Sequence, residues 1–216
     1  MNISFKKFWR ENKSLLVFLS LMLVFRSAVA DWNDVPTGSM KPTILEGDRI
    51  LINKLAYDIK VPFINQSVIK LADPEVNDVI IFESKVANKR LVKRVIGKPG
   101  DIVVMKNNKL SINGETIHYQ KIHSNNDTFT YLEQIAGSAH KVQLNNHSNV
   151  LANFPAVRVP NDHYLVLGDN RNNSADSRVI GFVPRDEIIG KSNTIVFSLN
   201  YDNYFLPRNE RFFQNL

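Results

Sequence analysis

The hydrophobic pattern of the chain changes character early. A basic stretch carrying Lys6, Lys7, Arg10 and Lys13 gives way to an apolar run over residues 15–25, then to Arg26 and the small residues Ser27-Ala28-Val29-Ala30. Two readings fit this segment. A basic flank, an apolar centre of about 11 residues and an Ala-x-Ala junction ending at Ala30 make a cleavable signal peptide. Extended over 13–32, the same stretch gives about 20 residues and about 30 Å of helix, with Arg26 reaching outward and Trp32 at the interface of a membrane anchor.

Beyond Trp32 the period shortens to that of strands. Segments rich in Val, Ile and aromatic residues predict strands over 49–53, 78–82, 90–96, 102–106, 109–112, 116–118, 164–167 and 194–197. Turn residues punctuate them at Glu46-Gly47-Asp48, Lys98-Pro99-Gly100-Asp101 and Asn113-Gly114, the last at the centre of a predicted hairpin over 109–118. The pattern weakens over 119–156 into polar sequence, which reads as an excursion inserted into the sheet. The expected fold class is mainly β: an antiparallel catalytic domain over 32–216, with a β-rich excursion over about 106–160, preceded by one N-terminal helix. A basic tail over 1–13 and an anchor over 14–31 complete the expected domains.

Composition then narrows the chemistry. With no cysteine among 216 residues, disulfides, thiol catalysis and cysteine-ligated zinc are excluded. His118, His123, His140, His147 and His163 are scattered without metal-ligand spacing, so no metal and no other cofactor is expected. The formal charge of +6 is spread along the chain rather than gathered in a stripe with aromatics. It fits anionic lipid headgroups at least as well as nucleic acid, and no nucleic-acid partner is expected.

Ser39 lies in Val-Pro-Thr-Gly-Ser-Met-Lys-Pro-Thr, where Pro36, Gly38 and Pro42 stiffen and turn the backbone so that a hydroxyl can project into a cleft. Lys93 lies in an alternating strand whose Leu91, Lys93 and Val95 share a face, with Val92 and Arg94 on the other. Apolar neighbours desolvate the amine and lower its pKa, and a neutral lysine can serve as the base for a serine nucleophile. Read singly, each residue is ordinary: a serine in a loop, a lysine on a strand edge. A third segment, Gly168-Asp-Asn-Arg-Asn-Asn-Ser-Ala-Asp-Ser-Arg178, follows a strong apolar strand, which delivers its polar side chains to one place. There Asp176 and Arg178 can pair, Ser174 can offer its oxygen to an amine, and Asp169 and Arg171 supply further support. Ser67-Val68-Ile69-Lys70 also fits a Ser-x-x-Lys pattern, without the companion motifs of penicillin-recognising enzymes.

Together Pro-Thr-Gly-Ser-Met-Lys-Pro-Thr, Asp-Val-Ile-Ile-Phe, Lys-Arg-Val-Ile-Gly-Lys-Pro-Gly-Asp and the Gly168 to Arg178 box resemble, in this order, bacterial signal peptidase I, the membrane-bound Ser-Lys endopeptidase family that removes signal peptides from exported preproteins. The resemblance implies Ser39 as nucleophile, Lys93 as general base, Ser174 as the hydroxyl that orients the lysine, and Asp176 with Arg178 as a supporting salt bridge. It also implies an oxyanion held by the Ser39 N–H and by a hydroxyl two residues earlier, here Thr37. The family's preference for small residues at substrate positions −1 and −3 implies shallow pockets, for which Val35, Pro36, Met40, Ile44, Leu91 and Val92 are the candidates by position. Pro74-Glu75-Val76-Asn77 stands where relatives often carry an Arg-Gly pair.

The resemblance favours the uncleaved anchor: a single-pass, monomeric enzyme of the bacterial inner membrane is expected, N-terminus cytoplasmic and catalytic domain outside, acting on preproteins and touching membrane lipids. Cleavage at Ala30 within one molecule is not expected, because Ser39 lies only about 9 residues, or at most about 30 Å of extended chain, downstream. A slow, concentration-dependent cleavage of one copy by another, giving a fragment that begins at Asp31, is expected. Two alternatives stay open: a specialised maturation peptidase of a conjugation or secretion system, and a secreted β-rich binding protein with a cleaved signal.

Overall fold

The structure, a computed structural model, describes residues 5–64, 66–125, 127–145 and 150–216. His147 and the end of the polar 144–149 stretch therefore lie outside the described residues, as does the start of the basic tail.

Helix α1 (Phe5–Ala28) contains no proline or glycine and runs through the expected boundary between tail and anchor. It stops at Ala28 instead of continuing to Trp32. The Lys54 ammonium donates to the carbonyls of Arg26 and Ser27 at 2.9 and 3.1 Å, satisfying acceptors that a longer helix would have used itself. The chain then enters strand β1 (Ala30–Asp34), so Trp32 belongs to the sheet, and the Ala-x-Ala sequence spans the junction, with Ala28 ending the helix and Ala30 opening the strand. Arg26 turns to Asp31 at 2.7 Å and lies over the Trp32 ring. Among the described residues, no helix is long and apolar enough to cross a membrane. Along α1, Leu15, Phe18, Leu21 and Leu23 nevertheless stand exposed.

The strands follow as β2 (Asp48–Asn53), β3 (Asp58–Lys60), β4 (Ser67–Lys70), β5 (Val79–Ser84), β6 (Lys89–Gly97), β7 (Ile102–Lys106), β8 (Lys109–Ile112) and β9 (Glu115–Thr116). The second half of the chain adds β10 (His118–Ser124), β11 (Thr128–Ile135), β12 (Ser138–Asn145), β13 (Phe154–Arg158), β14 (His163–Leu167), the one-turn helix α2 (Ser177–Ile180), β15 (Val183–Pro184), β16 (Ile188–Asn200), β17 (Leu206–Pro207) and β18 (Gln214–Asn215). The main sheet runs β1-β2-β16-β5-β6-β14-β15, with β17 and β18 also on β16, and all of its pairs are antiparallel. Beside it stand β13-β7-β8-β9, β10-β11-β12 and the hairpin β3-β4. Among the described residues of the excursion over 106–160, most lie in strands. Over 119–145 it is a three-stranded sheet whose exposed positions make its composition polar, hiding the strands.

Strand β5 explains why Val79-Ile80-Ile81-Phe82 does not alternate: both of its faces are covered. Val79 and Ile81 pack with Val35, Met40, Ile44, Ile50, Ile52, Ile189 and Ile195, while Ile80 and Phe82 pack with Tyr57, Val95, Tyr164, Val166, Val183 and Ile188. Met40 and Ile44, expected to line substrate pockets, are core residues of the first cluster. The 3-10 turn over Gly38–Met40 sends the Met40 side chain inward while Ser39 stays half-buried at the rim.

Candidate active site

Strand β6 places Lys93 opposite Ile80 and between Leu91 and Val95, both of which pack into the second core cluster. Its side chain is only 1% exposed. The ammonium nitrogen nevertheless reaches the Ser39 hydroxyl at 2.8 Å and the Val92 carbonyl at 2.9 Å. Burial pushes the Lys93 pKa down to about 8, against the opposing pull of Asp176 and Asp169. Those two carboxylates would hold the amine protonated if they stood free, but each is tied to an arginine. Arg178 grips Asp176 at 2.7 and 2.8 Å, and Arg94 grips Asp169 at 2.8 and 2.9 Å. The ion pairs keep acidic groups near the dyad while neutralising most of their field.

The loop after β14 brings the rest. Gly168 has no room for a Cβ: the atom would lie 2.3 Å from the Ser174 hydroxyl and 2.4 Å from the Ser39 carbonyl oxygen. Asp176 accepts from the Gly168 N–H at 3.0 Å and caps α2, so its pairing with Arg178 closes the loop on itself. Arg178 reaches on to the Arg171 carbonyl at 2.7 Å. Arg171, fully buried, pairs with Glu133 of β11 through both guanidinium nitrogens rather than with a residue of its own loop. Burial alone would raise the Glu133 pKa, but Arg171 holds it far below the ordinary carboxylate range. Ser174 is placed next to Gly168 and Ser39, yet its hydroxyl makes no hydrogen bond among the described residues, Lys93 included.

Beside the dyad lies a cleft of about 300 Å³. Val35, Pro36, Leu91 and Val92 line it, together with Thr37, Asn173 and Ala175. Four of the six expected pocket residues are therefore present, and Met40 and Ile44 are not. Its walls are the stretch from Asn33 to Pro36 and the start of β6, each of which pairs in the sheet on one side and turns an unpaired edge to the cleft. Thr37 is exposed at the mouth, and its hydroxyl does not cap the 3-10 turn that follows. Sequence reasoning passed over Glu133, Thr43 and Asn170, which hold the loop by long-range contacts. Thr43 donates to Asp169 at 2.6 Å, and Asn170 bonds the carbonyls of Gly38 and Ser39. Only Asn170, inside the polar box, offered a signal.

Comparison with known proteins identifies a family. Residues 9–197 match the model of the signal peptidase family, peptidase S26. Signal peptidase I of Pseudomonas fluorescens is 35% identical over 207 residues, covering 86% of this chain and 71% of that protein. Signal peptidase I of Bacillus amyloliquefaciens is 32% identical over 191 residues, covering 88% and 86%. A signal peptidase I structure from Enterococcus faecalis aligns at 28% identity over 56% of this chain and 98% of that one, with a TM-score of 0.36. The extent of the family match and of its relatives makes this chain a member of the signal peptidase family, peptidase S26, and a peptidase that removes signal peptides.

Proposed function

We propose that the chain cleaves preproteins by a Ser-Lys mechanism, with Ser39 as nucleophile and Lys93 as general base. The carrying observation is the 2.8 Å contact between a buried amine and a hydroxyl at the rim of a cleft with two unpaired strand edges. The substrate enters extended between these edges, and the small apolar surfaces of Val35, Pro36, Leu91 and Val92 accept Ala-x-Ala junctions. Neutral Lys93 takes the Ser39 proton, and Ser39 attacks the carbonyl of the signal's last residue. The Ser39 N–H and Thr37 hydroxyl hold the oxyanion. The leaving amine receives the proton, and water activated by the same lysine hydrolyses the acyl-enzyme. Asp169, Asp176, Arg171, Arg178 and Ser174 support the loop around the amine.

Helix α1 ties the enzyme to the bacterial inner membrane, single-pass and N-terminus inside, with the catalytic domain on the outer face. Exposed apolar side chains around its circumference support this reading. The apolar stretch is shorter than a bilayer core, so flanking residues must snorkel and the lipid must thin. The enzyme acts as a monomer in contact with lipid headgroups.

The test is incubation of membranes containing the protein with a labelled preprotein across pH. Because only the neutral amine is a base, kcat/KM is expected to rise with pH and level off above an apparent pKa of about 8. An acid limb near that of free lysine, about 10.4, would contradict the assignment of Lys93. Thr37→Val is expected to lower kcat about 10²- to 10³-fold with little change in KM, as for the loss of one oxyanion donor. Thr37→Ser is expected to stay active, and a neutral Thr37→Val would move the donor elsewhere.

A further inference from the structure

Asn170 sits where the polar loop meets the nucleophile's backbone. Its side-chain amide lies 3.0 Å from the Gly38 carbonyl oxygen and its main-chain N–H lies 3.1 Å from the Ser39 carbonyl oxygen. Since a carbonyl only accepts, the atom facing Gly38 must be the NH₂ group, which fixes the amide's orientation. The side chain is buried, and its own oxygen finds no partner among the described residues, an arrangement that packing alone would not select. The residues on either side leave it no freedom. Asp169 is locked to Arg94, Arg171 to Glu133, and Gln143 of β12 bonds the main chain on both sides of Asn170.

The consequence follows from peptide geometry. In a trans peptide the carbonyl and the N–H point in opposite directions across a rigid plane. The carbonyl of Gly38 and the N–H of Ser39 belong to the same plane. Holding the carbonyl therefore aims the N–H the other way, and a donor on the carbonyl polarises the unit, making that N–H a better donor. The Gly38 carbonyl also accepts from the Lys41 N–H at 3.1 Å, so two donors fix the orientation from one side.

We infer that Asn170 is a positioning residue of the oxyanion site, which clamps the Gly38–Ser39 peptide through its carbonyl so that the Ser39 N–H is oriented for the developing negative charge. The inference rests on the reading of Ser39 as nucleophile. It assigns Asn170 no contact with substrate; the side chain acts through the peptide it holds.

The experiment compares full-length wild type, Asn170→Ala, Asn170→Asp and Ser39→Ala in detergent micelles. Each is assayed with a fluorogenic signal peptide carrying an Ala-x-Ala junction, alongside thermal melting. Asn170→Ala is expected to lose about 10- to 100-fold in kcat with KM held within about threefold, since an oxyanion donor is misaimed rather than removed. Asn170→Asp keeps the shape but cannot donate, and is expected to be at least as slow. In Asn170→Ala, which adds no charge, the acid limb of the pH profile should stay where wild type puts it, because Lys93 is untouched; that limb is read in this variant alone, since a new carboxylate in Asn170→Asp would itself raise it. A general loosening of the site would move that limb and KM together, and would overturn the clamp. So would an Asn170→Asp enzyme as fast as wild type, or loss of cooperative melting in both variants, which would make the contact a determinant of the fold. If Ser39→Ala itself still turned over, the nucleophile assignment would fall, and the clamp with it. Asn170 variants of full kcat in a Ser39-dependent enzyme would sink the clamp alone.

Discussion

Ser39→Ala and Lys93→Ala are each expected to reduce preprotein processing by at least about 10³-fold, with the protein still folded. Lys93→Arg should be equally inactive, because a guanidinium does not deprotonate at a usable pH and cannot take the serine proton. Activity within about tenfold of wild type in either alanine variant would remove the dyad from the mechanism. Lys93→Met separates chemistry from stability. Lowering the amine from 10.5 to about 8 costs about 3 kcal/mol at about 1.36 kcal/mol per unit, so the inactive methionine variant should be the more stable below pH 8. The sign follows from proton counts. Between pH 8 and 10.5 the unfolded lysine still holds a proton that the folded one has released, so wild type gains stability as pH rises, and the gap closes. Thermal melting of the two proteins across that window measures it, and an unchanging gap would mean the amine is not desolvated in the folded state.

The second large effect is structural. Glu133→Ala would leave the Arg171 guanidinium, 0% exposed, buried without its carboxylate, and is expected to cost about 3–5 kcal/mol. Tyr119 would also lose the carboxylate its hydroxyl meets in that pocket. The same change removes one of the holds of the β10-β11-β12 sheet on the loop that carries Asn170, Ser174 and Asp176, leaving the Gln143 bonds to the loop main chain, so processing should fall with stability. Chemical denaturation and a peptidase assay on the same preparation check both. A stability loss under about 1 kcal/mol would show that Arg171 finds another partner, and that the excursion is not what steadies the loop.

Much of the sheet was legible because its strands are short, β-branched and fenced by turn residues. The ranges 102–106 and 109–112 coincide with β7 and β8, and Asn113-Gly114 does turn the chain between β8 and β9. Strand β16 was harder. Expected only over 194–197, it runs from Ile188 to Asn200, and its Gly190-Lys191-Ser192-Asn193 interior has poor strand propensity. Pairing with β5 on one side and β2 on the other overrides that local preference. The site divides in the same way. Ser39, Lys93, Asp176 and Arg178 come to notice only when their segments are taken together, since each is ordinary by itself. The partners of Arg171 and Asp169 lie 38 and 75 positions away, and no local pattern reveals them. Met40, at the end of the 3-10 turn, and Ile44, beyond it, face the core, because closeness to Ser39 in sequence does not decide which way a side chain points.

The ammonium of Lys54 bridges the last carbonyls of α1 and the Asp31 carboxylate, and Ser27 accepts from the Phe63 N–H. The helix is therefore bolted to the sheet at its exit instead of trailing from a tether. A bolted helix behaves as a surveyor's rod. On the proposed membrane reading, the height of Ser39 above the lipid would be set by this junction and not by diffusion of a flexible stalk, so the enzyme would sample one thin layer of space, and reach would become a criterion of substrate choice that no pocket residue encodes.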